Sequence, residues 1–361
     1  MNNKVMIGMS GGVDSSVAAA LLKKEGYDVT GVTLKIWPEQ SCGIQPEGGC
    51  CSLSAVEDAR RVAFKLGIPY YVLNFQNIFK DNVIDYFVDQ YIKGRTPNPC
   101  IACNKFVKFG SMLDKAVSMG IDRIATGHYA RIGKDSESGR YLLKKSVTDL
   151  KDQTYALYNM TQYQLERTLM PIGGYDKNTI RDMARDMGFH IADKPDSQEI
   201  CFVPDNNYGS FIESRMNTPV KPGKFVDTKG NELGEHKGIV YYTVGQRKGL
   251  GKSFGKPMYV VRLDVENNMV VLGEAGEEYS KGLIASELNW IAFEKPADSM
   301  AVKAKVRYSA KEEKAFITLL DEKRIRVDFD KPHRAVTPGQ SVVFYSEDIV
   351  LGGGIIDEQI N

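Results

Sequence analysis

No apolar run in these 361 residues is long enough to cross a bilayer. The longest uncharged apolar stretches, Ser15–Leu22 and Ile239–Val244, have the length of buried elements. Net charge is nearly absent: 47 Lys and Arg against 46 Asp and Glu leave +1. No global field therefore favours nucleic acid, and any RNA contact has to come from local basic patches. The four histidines are too scattered for a metal cluster, and no Gly-x-Ser-x-Gly elbow offers hydrolase chemistry. The start, MNNKVMIGMSGG, runs straight into a strand and a glycine loop, so no secretory signal is expected there. A cytoplasmic location is expected. In such a chain the six cysteines, at 42, 50, 51, 100, 103 and 201, are not expected to form a static disulfide framework.

What is present reads as a globular protein, with 42% hydrophobic and 26% charged residues, long enough for two or three domains. Residues 1–205 alternate strand and helix patterns. Strands are expected at Lys4–Met9, Val29–Ile36, Tyr70–Phe75 and Arg123–Thr126. Helices are expected at Asp14–Lys24, Ala55–Leu66, Ile78–Tyr91 and Lys105–Ser118, the last with Phe109, Met112, Ala116 and Met119 on one face. Strands separated by helices of this length imply an α/β domain with a doubly wound parallel sheet. After Pro204 the texture changes to short β-rich runs between Gly, Asn and Pro turns, including Gly238–Val244, Met258–Asp264, Met269–Gly273, Val302–Tyr308 and Ser341–Tyr345. We expect a small β-rich central domain at 206–275 and a C-terminal β-barrel at 276–361.

Ser10-Gly11-Gly12-Val13-Asp14-Ser15-Ser16 lies between the first strand and first helix. An open α/β sheet there presents backbone N–H groups and a positive helix end to an anion. Glycine admits close backbone approach, and the serines add donors. The loop lacks the Gly-Lys-Ser/Thr ending of the Walker motif and is not a Gly-x-Gly-x-x-Gly fingerprint. It resembles instead the pyrophosphate loop, Ser-Gly-Gly-x-Asp-Ser, of enzymes that cleave ATP between the α- and β-phosphates.

Asn98-Pro99-Cys100-Ile101-Ala102-Cys103-Asn104-Lys105 opens a helix, where the dipole, free N–H groups and nearby Arg95 and Lys105 favour a thiolate. Far away, Asp196-Ser197-Gln198-Glu199-Ile200-Cys201-Phe202 carries a lone cysteine. The segments GMSGGVDSS, GRTPNPCIACNKFVKFG, TGHYAR, KDQTYAL, DSQEICFVP, YYTVGQRKG and VRYSA, in this order, resemble the bacterial and organellar tRNA-specific 2-thiouridylase family across essentially the whole chain.

That resemblance implies ATP, with Mg2+, bound by Gly8, Met9, Ser10, Gly11, Gly12, Val13, Asp14 and Ser15, with Leu34 and Gly127 lining the nucleoside pocket. It implies adenylation of O2 of the wobble uridine of lysine, glutamate and glutamine tRNAs. Cys201 would carry a persulfide received from a donor protein, a cysteine desulfurase or sulfur-relay protein. Cys103 would be its partner nucleophile, releasing the sulfur or closing a Cys103–Cys201 disulfide. Asn98, Pro99 and Cys100 would face the target base. His128, Lys151, Asp152, Gln153, Arg307, Tyr308 and Gln340 would contact tRNA, and the enzyme would act as a monomer. Many family members carry Asp where this chain has Cys100.

Two alternatives share these residues. Cys100, Cys103 and Cys201 could hold a [4Fe-4S] cluster with one open site, and a plain ATP-dependent synthetase would share the loop without needing the thiols. Gln246-Arg247-Lys248-Gly249 is read as an RNA-backbone contact or a structural hairpin. Cys42, Cys50 and Cys51 are read as incidental thiols of a glycine-rich loop.

Overall fold

The computed structural model describes residues 2–36, 52–195, 200–203, 207–216 and 218–361. Cys42, Cys50, Cys51 and residues 196–199 of the DSQEICFVP segment lie outside the described residues.

Strands β1 (Lys4–Gly8), β2 (Asp28–Lys35), β3 (Tyr70–Asn74), β4 (Arg123–Ala125) and, numbered later in the chain, β7 (Thr168–Leu169) form one parallel sheet in the order β3-β2-β1-β4-β7. The strand order reverses beside β1, and β1 pairs with β4 in register from Val5↔Arg123 to Ile7↔Ala125. Ligands of such sheets bind at the carboxyl ends of the strands flanking that reversal. Helix α1 (Val13–Lys24) follows β1 directly and buries Val17, Ala18, Ala19 and Leu22. Helix α2 (Leu53–Leu66) starts on Ser52, whose hydroxyl accepts from the Ala55 N–H, and stops at Gly67 in the left-handed conformation.

The helix expected over Ile78–Tyr91 forms with a π-helical stretch at Lys80–Ile84, and Phe79, Val83, Phe87 and Tyr91 are buried as one face. The one expected over Lys105–Ser118 starts earlier. Asn98 caps a turn at Pro99–Ala102, a π-helical stretch runs over Cys103–Ser111, and an α-helix closes at Ser118. Phe109, Met112 and Ala116 are buried, but Met119 lies past the helix end and is 43% exposed. The wide turns shift the periodicity by a fraction of a turn, so a 3.6-residue reading drifts off the buried face.

A hairpin of β5 (Ala130–Lys134) and β6 (Tyr141–Lys145) leaves the parallel sheet altogether. Its inner strand, β6, pairs through Lys144 with Ile349 of the final strand, so the first part of the chain adds a flap to the last. The middle of the chain makes a sheet of β8 (Gly223–Asp227), β9 (Glu232–His236), β10 (Tyr259–Asp264) and β11 (Met269–Gly273) in the order β10-β11-β8-β9. The strand expected over Gly238–Val244 is instead a 3-10 turn at Ile239–Tyr241. Ile239, Val240, Tyr242 and Val244 are buried, so the apolar content marks core contact rather than an extended strand.

The last strands, β12 (Tyr279–Trp290), β13 (Ser299–Lys305), β14 (Glu313–Leu319), β15 (Ile325–Arg334), β16 (Ser341–Ser346) and β17 (Ile349–Ile360), run in the order β12-β15-β14-β13-β16-β17. A β12–β17 pairing from Gly282↔Ile360 to Trp290↔Gly352 closes them into a barrel. No helix among the described residues is long and apolar enough to cross a membrane.

Candidate active site

The glycine loop leaves β1 at the carboxyl edge of the sheet. Gly11 has φ +69°, and a Cβ there would sit 2.3 Å from the Ala55 carbonyl oxygen, so only glycine fits against α2. The serines fold inward. The Ser15 hydroxyl accepts from the Ser10 N–H at 3.1 Å, and the Ser16 hydroxyl donates to the Gly12 carbonyl at 2.8 Å. Gly12 caps α1 without a side-chain bond. Met9 and Val13 are buried beneath the loop, and Leu34 is half-buried on the neighbouring β2.

Three charged residues outside the motif surround the loop. Lys177 donates to both carboxylate oxygens of Asp14 at 2.8 Å, and the Tyr129 hydroxyl donates to the same carboxylate at 2.7 Å. Lys194 reaches the Gly11 carbonyl at 3.3 Å and Asp58 at 2.9 Å. Burial raises the Asp58 pKa, but hydrogen bonds from Lys194 and His190 outweigh it and hold the carboxyl below its ordinary range. Sequence reasoning missed Lys177, Lys194 and Asp58, because nothing local marks a charged group whose partner lies more than a hundred residues away.

Gly127 joins the loop to the second half of the site. It follows β4, and a Cβ on it would lie 2.7 Å from the Ser15 nitrogen. The next residue, His128, is buried and lines a cavity of about 920 Å3. Its Nδ1 lies 2.7 Å from the Thr126 hydroxyl. Burial, and then the charge of Lys108, hold its pKa well below the ordinary histidine value, so the ring is neutral.

The cavity gathers most of the expected base- and RNA-facing residues. Asn98, Pro99, Cys100, His128 and Gln153 line it from the first part of the chain, and Arg307, Tyr308 and Gln340 from the barrel. The central part supplies Lys237, Tyr241, Thr243 and Gln246. Hydrogen bonds lock the three parts together at its rim. Arg307 donates to the Val244 carbonyl at 2.9 Å, Gln340 to the Thr96 carbonyl at 2.6 Å, and the Thr96 N–H to the Pro338 carbonyl at 2.8 Å. Desolvation lowers the Arg307 pKa from its ordinary value, and its Nε is buried without a hydrogen-bond partner among the described residues. Gln246 folds onto its own turn, accepting from the Thr243 N–H and donating to the Lys248 carbonyl, while Arg247 and Lys248 stay exposed.

Two expected RNA contacts lie elsewhere. Lys151 sits in a short turn, Asp149–Lys151, beside the exposed Leu150, and is not part of the cavity wall. Asp152 is buried. Its carboxylate accepts from the Ser146 N–H at 3.0 Å and the Thr154 hydroxyl at 2.5 Å, and burial raises its pKa. It braces the turn that carries Gln153.

Cys100 is exposed at the second position of the turn capped by Asn98, whose side chain accepts from the Cys100 N–H at 3.0 Å. Cys103 and Cys201 are half-buried and pack against the same hydrophobic core. Cys201 sits between Ile200, which lines the cavity, and Phe202, which is buried. The Phe202 ring lies 5.8 Å from that of Phe79, 5.3 Å from Phe87 and 5.3 Å from Phe211. Burial of such a ring contributes about 1.5–3 kcal/mol and pins the backbone beside Cys201. No group of three His, Cys, Asp or Glu side chains is gathered closely enough to hold a metal ion among the described residues. The three thiols as placed thus do not fit an iron–sulfur cluster.

The Cys-Asn pair adds a residue that sequence reasoning passed over. Asn104 is 4% exposed and lines the cavity, and its Nδ2 donates to the Ala156 carbonyl at 2.9 Å. Its Oδ1 is buried with no partner among the described residues, which costs roughly 1–3 kcal/mol.

A parallel sheet carrying a glycine phosphate loop, followed by a small β module and a closed barrel, defines a nucleotide-binding α/β enzyme with two appended β domains. Residues 3–205 match the family model described as the tRNA methyl transferase HUP domain. Residues 209–274 match its PRC-barrel domain, and 280–356 an aminomethyltransferase β-barrel domain. The chain is 66% identical to the tRNA-specific 2-thiouridylase MnmA of Acetivibrio thermocellus, over 98% of this chain and 99% of that one. It is 59% identical to the protein of the same name in Clostridioides difficile, over 100% of this chain and 99% of that one. Among solved structures, NMN synthetase from Francisella tularensis aligns at 17% identity and a TM-score of 0.33, covering 54% of this chain and 66% of that one, a likeness too slight to carry an argument. The chain belongs to the tRNA-specific 2-thiouridylase family.

Proposed function

We propose that this chain is an ATP-dependent tRNA-uridine 2-sulfurtransferase acting on the wobble uridine. The observation that carries the reading is the junction at Gly127-His128. One residue contacts the phosphate loop, and the next lines a cavity that also holds Cys100 and Ile200, neighbour of Cys201. A nucleotide on the loop and a base in the cavity would meet there.

The chemistry follows from what uracil needs. C2 is a poor electrophile until its oxygen becomes a good leaving group. Uracil O2 attacks the α-phosphorus of ATP, pyrophosphate departs, and the N3 proton is lost. A sulfur carried as a persulfide on Cys201 then attacks C2, and AMP leaves with the original O2 oxygen. Cys103 completes the exchange by attacking Cys201 Sγ, which frees the thiocarbonyl and leaves a Cys103–Cys201 disulfide. Alternatively Cys103 attacks the persulfide first and releases hydrosulfide, which then adds to C2. Mg2+ would neutralise the departing pyrophosphate, and Lys177 and Lys194 supply positive charge beside the loop. The base must leave its stack to reach the cavity, as in other enzymes that work on a base. Tyr308, 45% exposed at the cavity, offers a face for stacking, and Arg247 and Lys248 offer charge to the backbone.

The family model's description speaks of methyl transfer and the relatives' names of thiolation. The thiols favour the second, because methyl transfer has no use for a carrier cysteine. The sulfur enters from a donor protein, a cysteine desulfurase or sulfur-relay protein. We assign no step to an iron–sulfur cluster. The test is nucleoside mass spectrometry of unmodified lysine, glutamate or glutamine tRNA incubated with the protein, ATP and a sulfur source. We expect 2-thiouridine together with AMP and pyrophosphate. Unchanged nucleosides, or ADP as product, would sink the reading.

A further inference from the structure

Resting on that reading, we infer that Asn104 and Lys108 read the target base as uracil: Asn104 Oδ1 accepts from uracil N3–H, and Lys108 donates to uracil O4. Both residues line the cavity from the π-helical stretch Cys103–Ser111, about one turn apart. The orientation of the Asn104 amide is fixed by its partner. A carbonyl such as that of Ala156 can only accept, so Nδ2 faces it and Oδ1 is the atom left over. A buried acceptor without a donor, on a residue of a cavity wall, is completed by a ligand that brings an N–H group to it. Lys108 is half-buried and makes no ion pair among the described residues, and its charge is felt by His128 across the same cavity.

An acceptor and a cation four residues apart complement one edge of one pyrimidine. Uracil presents N3–H as a donor flanked by O4 as an acceptor, leaving O2 free on the other side to face the nucleotide. Cytosine presents the reverse, an N3 lone pair and an N4 amine. It would set two acceptors against each other at Asn104 and two donors at Lys108. Discrimination by unpaired polar groups is strong, because the wrong base leaves buried atoms unsatisfied. Oδ1 itself is closed off from solvent, so the incoming base reaches it by displacing a neighbouring side chain, and the long, half-buried Lys108 is free to swing.

The test compares binding of transcripts of the full tRNA carrying U or C at the wobble position, by fluorescence anisotropy, to the full-length protein and to its Asn104→Leu and Lys108→Met variants. The intact protein is expected to favour U over C by about 10- to 100-fold, and each variant to bring that ratio below about fivefold. The ratio is taken within one preparation, so a loss of folded fraction cancels. A ratio above about fivefold in either variant, or equal binding of U and C by the intact protein while it still thiolates, overturns the inference. Failure of the intact protein to make 2-thiouridine in any tRNA overturns the sulfurtransferase reading instead, so the two failures are told apart.

Discussion

The phosphate loop and the cavity are built in opposite ways. The loop is contiguous, Ser10 to Ser16, and its geometry is set by what glycine alone permits at Gly11. The cavity is drawn from residues between Tyr91 and Gln340, on three separately folded regions joined by hydrogen bonds such as Gln340 to Thr96. Substitutions in the loop should therefore damage nucleotide chemistry alone, whereas the cavity should separate base recognition, sulfur delivery and assembly from one another.

The largest expected effect breaks the two halves apart. Cys201→Ala should reduce 2-thiouridine formation by roughly a thousandfold or more, because the carrier atom is gone. The tRNA-dependent release of AMP should persist. Mass spectrometry of the tRNA beside chromatography of the nucleotides measures both, and joint loss would mean that the cavity and loop are not separable. Gly127→Ala attacks the junction. A Cβ 2.7 Å from the Ser15 nitrogen and 2.8 Å from the Asp14 carbonyl carbon forces backbone to move, and a displacement of this kind costs about 100-fold in AMP release. Its tRNA affinity should change little. A loss confined to tRNA binding would reverse the assignment of Gly127.

The smallest effect concerns pH. His128 is held neutral in the folded protein, by burial first and Lys108 second, with its pKa below the ordinary 6.5. The unfolded chain therefore takes up the proton first, so stability is intact above about pH 6.5 and is lost as pH falls through and below that value. His128→Gln removes this contribution. Between pH 7 and 5 its melting temperature should fall less than that of the unaltered protein, by roughly 2 °C. The slope should not vanish, because burial also depresses the His236 pKa. Parallel pH profiles for the two proteins would show that His128 is solvated.

How much was legible in the sequence follows the same division. Ser-Gly-Gly-x-Asp-Ser declares itself, because strand, glycine turn and helix start are local events. The cysteine segments were legible as chemistry, but not the surroundings that give each thiol its part. Phe202 pins the Cys201 backbone through contacts with Phe79 and Phe87, which only tertiary packing supplies. Lys177 pairs with Asp14 from a distant helix that packs against α1, and no spacing announces it. Gly238–Val244 read as a strand because buried turns and buried strands share apolar composition. The strand Ile349–Ile360, with Gly352-Gly353-Gly354 inside it, was not among the expected strands. Yet a Cβ at Gly353 would lie 2.6 Å from the Tyr158 ring, and one at Gly354 2.7 Å from the Ser286 carbonyl, so the glycines let the barrel close against its neighbours. Asp152 was offered as a tRNA contact by the resemblance alone, and its burial comes from tertiary packing. Burial cannot be read from three polar letters in a row.

The central claim is that uracil O2 is activated by attachment to the α-phosphate before sulfur arrives. A tRNA carrying oxygen-18 at O2 of the wobble uridine, turned over once with unlabelled ATP, tests it directly. The account predicts that the label appears in AMP, one atom for each 2-thiouridine formed. Label found in water, or AMP without it, would contradict adenylation and with it the shared purpose of loop and cavity.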